Sequence, residues 1–174
     1  RLEYNITIAA FVLISLIFPA VVGLKLIEND EKMTEEIKRL YEEDYLTKLY
    51  NRRKIHELIE NEIRRSRRYN SAFAVILIDI DDFKIINDTF GHNTGDKTLV
   101  RFSSTLSHTI RESDIAGRWG GEEFLIICPQ TTAEGASSLA EKLRSNIENY
   151  GIDIIGNITA SFGVAAIKHG DNVN

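Results

Sequence analysis

The sequence predicts an α+β fold, with one mixed central sheet flanked by helices and an N-terminal helical segment before it. A continuous apolar run, FAVILIDI at residues 73–80, has the length and composition of a buried central strand. Short apolar segments at 114–118 and 122–128 enclose two glycines, which indicates a β-hairpin. Apolar residues at helical spacing predict helices at 52–68, 95–111 and 132–148, and a last strand follows at 157–167.

Composition limits the classes of function. The chain has 174 residues, of which 43% are hydrophobic, enough for one ordinary core and an appendage. A net charge of -5 with interspersed signs argues against a broad nucleic-acid-binding face, which needs a basic excess. The single cysteine, Cys128, excludes an intrachain disulfide and a Cys-rich zinc site. Its apolar surroundings predict a buried structural thiol.

The N-terminus differs from the rest of the chain. Residues 6–24 carry no charge, and as a helix they would reach about 28 Å, close to the thickness of a bilayer core. We therefore expect a transmembrane helix over residues 1–27, with a signal peptide or a buried soluble helix as alternatives. The chain starts with Arg1 rather than Met, so it is expected to be a piece of a longer protein.

Residues 28–46 are highly charged and carry a short apolar stripe at helical spacing. We interpret them as a signalling or linker helix that pairs with its copy in a second chain. The alternative is a solvated linker helix.

Acidic residues end the predicted central strand. Successive side chains of a strand point to opposite faces, so Asp79 and Asp81, two positions apart, point to the same side. Buried carboxylates without partners are costly, and either a bound divalent cation such as Mg²⁺ or exposure to solvent removes that cost. Lys84 follows, where it can neutralise the charge of a phosphate.

A polar, glycine-rich stretch comes next and is interpreted as a loop. Asn87 and Asp96 have side chains that can read the edge of a nucleobase, whereas His92 alone is weak evidence because a lone histidine near a turn is more often structural. The segment GHNTGDKT at 91–98 nearly matches a phosphate-binding loop. Asp96 stands where that loop needs its second glycine, so this interpretation is rejected.

The hairpin contains the segment RWGGEEF, residues 118–124. If its strands pair beside the 73–80 strand, Glu122 lies next to Asp79. Gly120 and Gly121 then let the turn approach a ligand without side chains in the way. Two carboxylates and a strand carbonyl would form a magnesium site over a triphosphate.

Together these motifs resemble the GGDEF-domain diguanylate cyclases. The segments DYLTKLYNRR, DIDDFKIINDTFGHNTGD, RESD, RWGGEEF and TASFGVA follow the order and spacing of that family from about Asp44 to about Ala166. The resemblance implies a catalytic domain over 47–174 with a fold like nucleotidyl cyclases and polymerase palm domains. It also implies condensation of two GTP into cyclic di-GMP and two pyrophosphates with Mg²⁺ or Mn²⁺. With the N-terminal helix, it implies a location at the inner membrane with the domain in the bacterial cytoplasm.

The family's roles transfer to matching positions. The metal ligands correspond to Asp79, Glu122 and the backbone carbonyl of Ile80, and the general base also corresponds to Glu122. The phosphate contact corresponds to Lys84, and the guanine contacts correspond to Asn87 and Asp96. His92 matches a substrate-proximal position, and the rest of the signature is formed by Gly120, Gly121 and Glu123.

The segment RESD resembles the family's inhibitory product site. Arg111 and Asp114 would bind cyclic di-GMP, with Arg65 as a further contact. The alternatives are a surface ion pair at a helix end and, for Arg65, a solvated helix face.

Two further expectations follow from the resemblance. The family normally continues with a helix after the last strand, and the chain stops before it. The two-fold symmetric product implies that two domains meet face to face in a homodimer. A non-catalytic receptor for cyclic di-GMP and a membrane-tethered interaction module remain alternatives.

Overall fold

The computed structural model describes residues 2–149 and 156–167, with side chains at residue 19 and from residue 21 onward. The chain divides into two compact units, Arg1–Tyr41 and Glu42–Asn174. The helix α1 runs without a break from Leu2 to Glu42 and contains Pro19, and all of it except Glu42 belongs to the first unit. The apolar run and the charged stretch, predicted as two segments, therefore belong to one helix.

The predicted membrane location is corrected. Side chains of residues 2–18, which form most of the apolar run, lie outside the described residues. In the part of the chain that the structure describes, no helix is both long and apolar enough to cross a bilayer. The described part of α1 is too charged for this, with Lys25, Glu28 and Lys32 among its side chains. The expectation of an inner-membrane location was wrong.

The second unit confirms the α+β class. Its elements are α2 (Arg52–Tyr69), β1 (Phe73–Ile80), α3 (Phe83–Phe90), α4 (His92–Thr109), β2 (Ile115–Arg118), β3 (Glu123–Pro129), α5 (Ala133–Asn149) and β4 (Ala160–Ile167). The predicted strand at 73–80 has the observed bounds, and the hairpin strands and the longer helices agree within a few residues.

The strands form one sheet in the order β2-β3-β1-β4. All three pairings among the described strands are antiparallel, where a mixed sheet was expected. The strand β1 pairs with β3 on one edge and with β4 on the other, and it is antiparallel to both. The end of β1 at Ile80 therefore meets the start of β3 and the start of β4.

Two apolar cores cover the two faces of the sheet. The larger contains Ile76, Ile78 and Phe102 and includes residues of α3, α4 and α5. The smaller contains Ile55 of α2 together with Phe73 and other strand residues. Side chains of β1 alternate between these cores, and Asp79 belongs to the face of the smaller one, where it is exposed.

The stretch predicted as a polar loop is mostly helical. Phe83 and Ile86 are buried one turn apart and anchor α3 in the larger core, so tertiary packing overrides the low helix propensity of the polar residues. Gly91 then separates α3 from α4 with a φ of 81°. This conformation is accessible to glycine at little cost, which allows the sharp change of direction.

Candidate active site

The signature hairpin meets the acidic end of β1. The Cα atom of Asp79 is paired with Glu123 on one side and with Ser161 on the other. One residue further, the amide of Ile80 donates a hydrogen bond to the carbonyl oxygen of Glu122, with an N···O distance of 3.4 Å. The hairpin thus pairs beside β1, which was the condition for the expected approach, and Glu122 lies next to the strand end that carries Asp79.

Negative charge is concentrated at this point. The pKa of the Asp79 carboxyl is raised, first by partial burial and then by the nearby carboxylates of Glu122, Glu123 and Asp81. Asp81 accepts a hydrogen bond of 2.7 Å from the hydroxyl of Ser161, which ties it to β4. A cation placed between Asp79 and Glu122 would relieve this mutual repulsion.

The donor atoms fit a hard divalent cation. Within the residues described, no three side chains of His, Cys, Asp or Glu converge as a metal site. The predicted set does not need three, because it combines the carboxylates of Asp79 and Glu122 with the backbone carbonyl of Ile80. Oxygen donors of this kind suit Mg²⁺ or Mn²⁺, which retain water or substrate oxygens in their remaining positions.

The two glycines of the signature turn have different surroundings. A Cβ atom at Gly120 would collide with the carboxylate of Glu123, whereas nothing lies within 4 Å of one at Gly121. The amides of Trp119 and Gly120 both donate to the carbonyl of Glu123, at 2.8 and 3.2 Å. Glu123 therefore belongs to the turn itself, and Gly121 leaves open space beside Glu122.

The helix pair α3–α4 carries the predicted substrate contacts. Lys84 is exposed in the first turn of α3, and His92 is exposed at the start of α4. A Cβ atom at Gly95 would overlap the side-chain oxygen of Asn87, so these helices touch there without intervening atoms. Asp96 follows Gly95 directly and is exposed. Asn87 and Asp96 are thus neighbours at one junction although they belong to different helices.

Arg111 and Asp114 line a cavity of about 420 Å³. The amide of Arg111 donates to the Asp114 carboxylate at 3.0 Å, so this acid also holds the turn before β2. Lys142 of α5 lines the same cavity, a cation that sequence reasoning missed because its helical position carries no distinguishing motif. Arg65 does not line the cavity and instead lies 3.6 Å from Glu62 within α2.

Cys128 lines that cavity as well but is buried. Burial, followed by the neighbouring Asp114 carboxylate, raises the pKa of its thiol to about 12. The thiol therefore remains protonated at neutral pH, and the prediction of a buried cysteine is confirmed.

Comparison with known proteins identifies the class. The family model for "Diguanylate cyclase, GGDEF domain" matches residues 42–174. Diguanylate cyclase DgcM of Escherichia coli K12 is 32% identical over 148 residues, which cover 85% of this chain. The probable diguanylate cyclase DgcC of the same strain is 35% identical over 160 residues, 89% of this chain. The chain belongs to the GGDEF family of diguanylate cyclases.

Solved structures agree with this assignment. The coiled coil and GGDEF domain of DgcB from Caulobacter crescentus, in complex with c-di-GMP, has a TM-score of 0.81 at 26% identity, covering 90% of this chain and 85% of that one. The active GGEEF domain of a Vibrio cholerae diguanylate cyclase has a TM-score of 0.67 at 36% identity, covering 70% and 79%. The palm-like fold is confirmed. The chain spans 36% of the length of DgcM and 43% of that of DgcC.

Proposed function

We propose that this chain carries the catalytic domain of a diguanylate cyclase, which condenses two GTP into cyclic di-GMP and releases two pyrophosphates. The observation that carries the proposal is the meeting of Asp79 and Glu122 at the end of β1, beside the open space at Gly121. Family membership and the activity named for its relatives support it.

The acidic strand end would hold the metal and the reacting groups. Asp79, Glu122 and the carbonyl of Ile80 would hold Mg²⁺ or Mn²⁺. When bound, the cation supplies Lewis acidity that favours a deprotonated hydroxyl and stabilises charge on a leaving pyrophosphate. Glu122 would accept the proton of the attacking 3′-hydroxyl as a general base. Lys84, exposed at the start of α3, would offset the charge of the phosphates.

The α3–α4 junction would recognise the guanine. The carboxylate of Asp96 can accept from guanine N1–H and the exocyclic amine, and the amide of Asn87 can both donate and accept. Their approach across Gly95 supports a shared role. His92 would border the bound nucleotide from the first turn of α4.

Catalysis would need two copies of the domain, since one GTP site supplies only half of the product. Leu26, Met33 and Leu40 recur every seven residues along α1 and expose 56–77% of their surface. Such a stripe suits pairing with the same stripe of a second chain. The relative DgcB was solved with a coiled coil, which supports this arrangement.

Incubation of the protein with GTP and Mg²⁺ tests the proposal. We expect cyclic di-GMP and two equivalents of pyrophosphate, detected by chromatography and mass spectrometry, and no product when a chelator removes the metal. Binding of GTP without turnover in either Mg²⁺ or Mn²⁺ would reject catalysis.

A receptor for cyclic di-GMP is the second candidate. The cavity at Arg111 and Asp114 favours it, since a cation and a carboxylate together suit a phosphate and a guanine. In the cyclase, the same cavity would bind product and inhibit the reaction. Turnover of GTP distinguishes the two roles.

Replacing Arg111 with alanine is expected to weaken product inhibition. The concentration of cyclic di-GMP needed for half inhibition should rise about tenfold or more, because a charged hydrogen bond is worth about 1.5–3 kcal/mol. Inhibition is measured on initial rates with added product. Arg144→Ala, at an exposed arginine paired with Glu141 and Glu148, is the control. Equal inhibition of the parent and Arg111→Ala would remove the inhibitory site from the proposal.

A further inference from the structure

One guanidinium group connects the signature turn to the start of the domain. Nε of Arg118 donates to the carbonyls of Gly120 and Gly121 at 3.2 and 3.1 Å, and Nη2 donates to Gly121 at 2.8 Å. Nη1 lies 3.2 Å from a carboxylate oxygen of Asp44. Arg118 therefore binds both glycine carbonyls and a residue 74 positions earlier in the chain.

Asp44 is firmly held in its own place. Its carboxylate accepts from the amide and the hydroxyl of Thr47, at 2.9 and 2.8 Å, and its amide donates to the carbonyl of Leu49. Burial raises the pKa of Asp44, but the hydrogen bonds from Thr47 and the charge of Arg118 outweigh burial and lower it overall. The side chains of Asp44 and Arg118 are only 16% and 14% exposed, so solvent screens their attraction weakly.

Further contacts fasten the same two segments. We call residues 42–51, which precede α2, the N-terminal turn. The amide of Arg118 donates to the carbonyl of Tyr50 at 2.8 Å, and Tyr50 bridges to Gly117. A Cβ atom at Gly117 would collide with Ile55 and the Tyr50 carbonyl, so the backbones are in close contact. The N-terminal turn therefore packs directly on the hairpin.

We infer that Arg118 is a positioning residue for Glu122, and that the N-terminal turn acts on it through Asp44. The inference rests on the role proposed for Glu122 and goes beyond it, because it adds two residues that are not among the proposed metal and nucleotide contacts. Glu122 follows Gly121, whose carbonyl is held by two N–H groups of Arg118. The carbonyl of Glu122 accepts a hydrogen bond from the amide of Ile80. These bonds fix the backbone on both sides of the carboxylate that must reach the metal and the hydroxyl.

The geometry requires arginine specifically. Three nitrogens of the planar guanidinium are used at once, towards two carbonyls and a carboxylate. A lysine in this place keeps the charge and most of the stem but presents a single point donor. Arg118→Lys therefore removes the fork while retaining the charge opposite Asp44.

The test compares Arg118→Lys and Asp44→Asn with the parent protein. We expect kcat to fall about tenfold or more in each, since small misplacement of a reacting group is costly. KM for GTP should change less than threefold, because the proposed guanine contacts lie on α3 and α4. Arg144→Lys is the matched control, an arginine that also forks between two acids but lies on α5, and its kcat should equal that of the parent.

Hydrogen exchange gives a readout that does not depend on turnover. The amides of Trp119 and Gly120 should exchange at least about tenfold faster in Arg118→Lys, while amides of β1 keep their protection. The double variant Arg118→Lys/Asp44→Asn should lose little more kcat than Arg118→Lys alone if the two side chains act through each other.

The outcomes separate this inference from the proposed function. A parent protein that makes no cyclic di-GMP overturns the proposed function, and the exchange of the Trp119 and Gly120 amides then still decides on Arg118. Unchanged exchange and unchanged kcat in Arg118→Lys overturn the positioning role. Fully additive losses in the double variant overturn the link through Asp44. Equal loss of protection in β1 and in the turn would assign Arg118 to general stability instead.

Discussion

Replacing Glu122 with glutamine is expected to reduce the rate of cyclic di-GMP synthesis by about 10²–10⁴-fold, the range typical of a lost general base. Glutamine keeps the shape of the side chain but cannot accept the hydroxyl proton, and it leaves Asp79 as the sole charged ligand of the proposed pair. The measurement is the initial rate with GTP and Mg²⁺. The melting temperature should stay close to that of the parent, since Glu122 is only half-buried.

Two further variants make this result specific. Glu123→Gln should lose much less activity, because its carboxylate lies against Gly120 within the turn. Glu60→Gln, at an exposed glutamate of α2, should match the parent. More than a tenth of parental activity in Glu122→Gln would contradict its role as base and ligand, and equal losses in Glu122→Gln and Glu123→Gln would contradict the distinction between them.

The fold was predictable where burial dominates the sequence pattern. The strand at 73–80 was predictable from its apolar run, because every side chain on the face of the larger core is buried, although Leu77 and Asp79 on the other face are exposed. The helix α3 was missed because Asn87, Asp88 and Thr89 resemble a loop, and only packing of Phe83 and Ile86 reveals the helical face. The antiparallel direction of every described strand pairing could not be predicted from the sequence either, since an apolar run does not determine the direction of the strand that pairs with it.

The candidate site was predictable only where the chain itself brings residues together. A hairpin adjacent to β1 necessarily delivers Glu122 to Asp79, so their proximity followed from topology. The contact between Asp44 and Arg118 spans 74 positions and follows no periodicity, and each residue alone looks like an ordinary charge. The specific roles came from the resemblance to the family rather than from residue spacing. For Arg65, which is not among the residues that line the cavity at Arg111, a role in product binding stays a prediction.

The second large effect concerns the anchor of the hairpin. Phe124 follows the signature glutamates, has no exposed surface, and packs against Phe102 of α4 with ring centroids 4.9 Å apart. Phe124→Ala is expected to lower the free energy of unfolding by about 3–5 kcal/mol, because it removes buried aromatic surface and leaves a cavity. Domains of this size have only about 5–15 kcal/mol in total, so the variant should be marginally folded. Urea denaturation monitored by circular dichroism gives the value.

Phe124→Leu keeps the result measurable if the alanine variant unfolds. Leucine fills part of the space left by the ring, so its loss of stability should be clearly smaller than that of alanine. Val100→Ala, at an exposed position of the same helix as Phe102, should stay within about 0.5 kcal/mol of the parent. A loss below about 1 kcal/mol in Phe124→Ala would contradict the packing described here. Phe124 lies two positions after Glu122, so a loosely packed side chain at 124 should also displace the carboxylate of Glu122. Turnover should therefore fall even in molecules that remain folded. The packing of the larger core and the position of the proposed base are linked in this way.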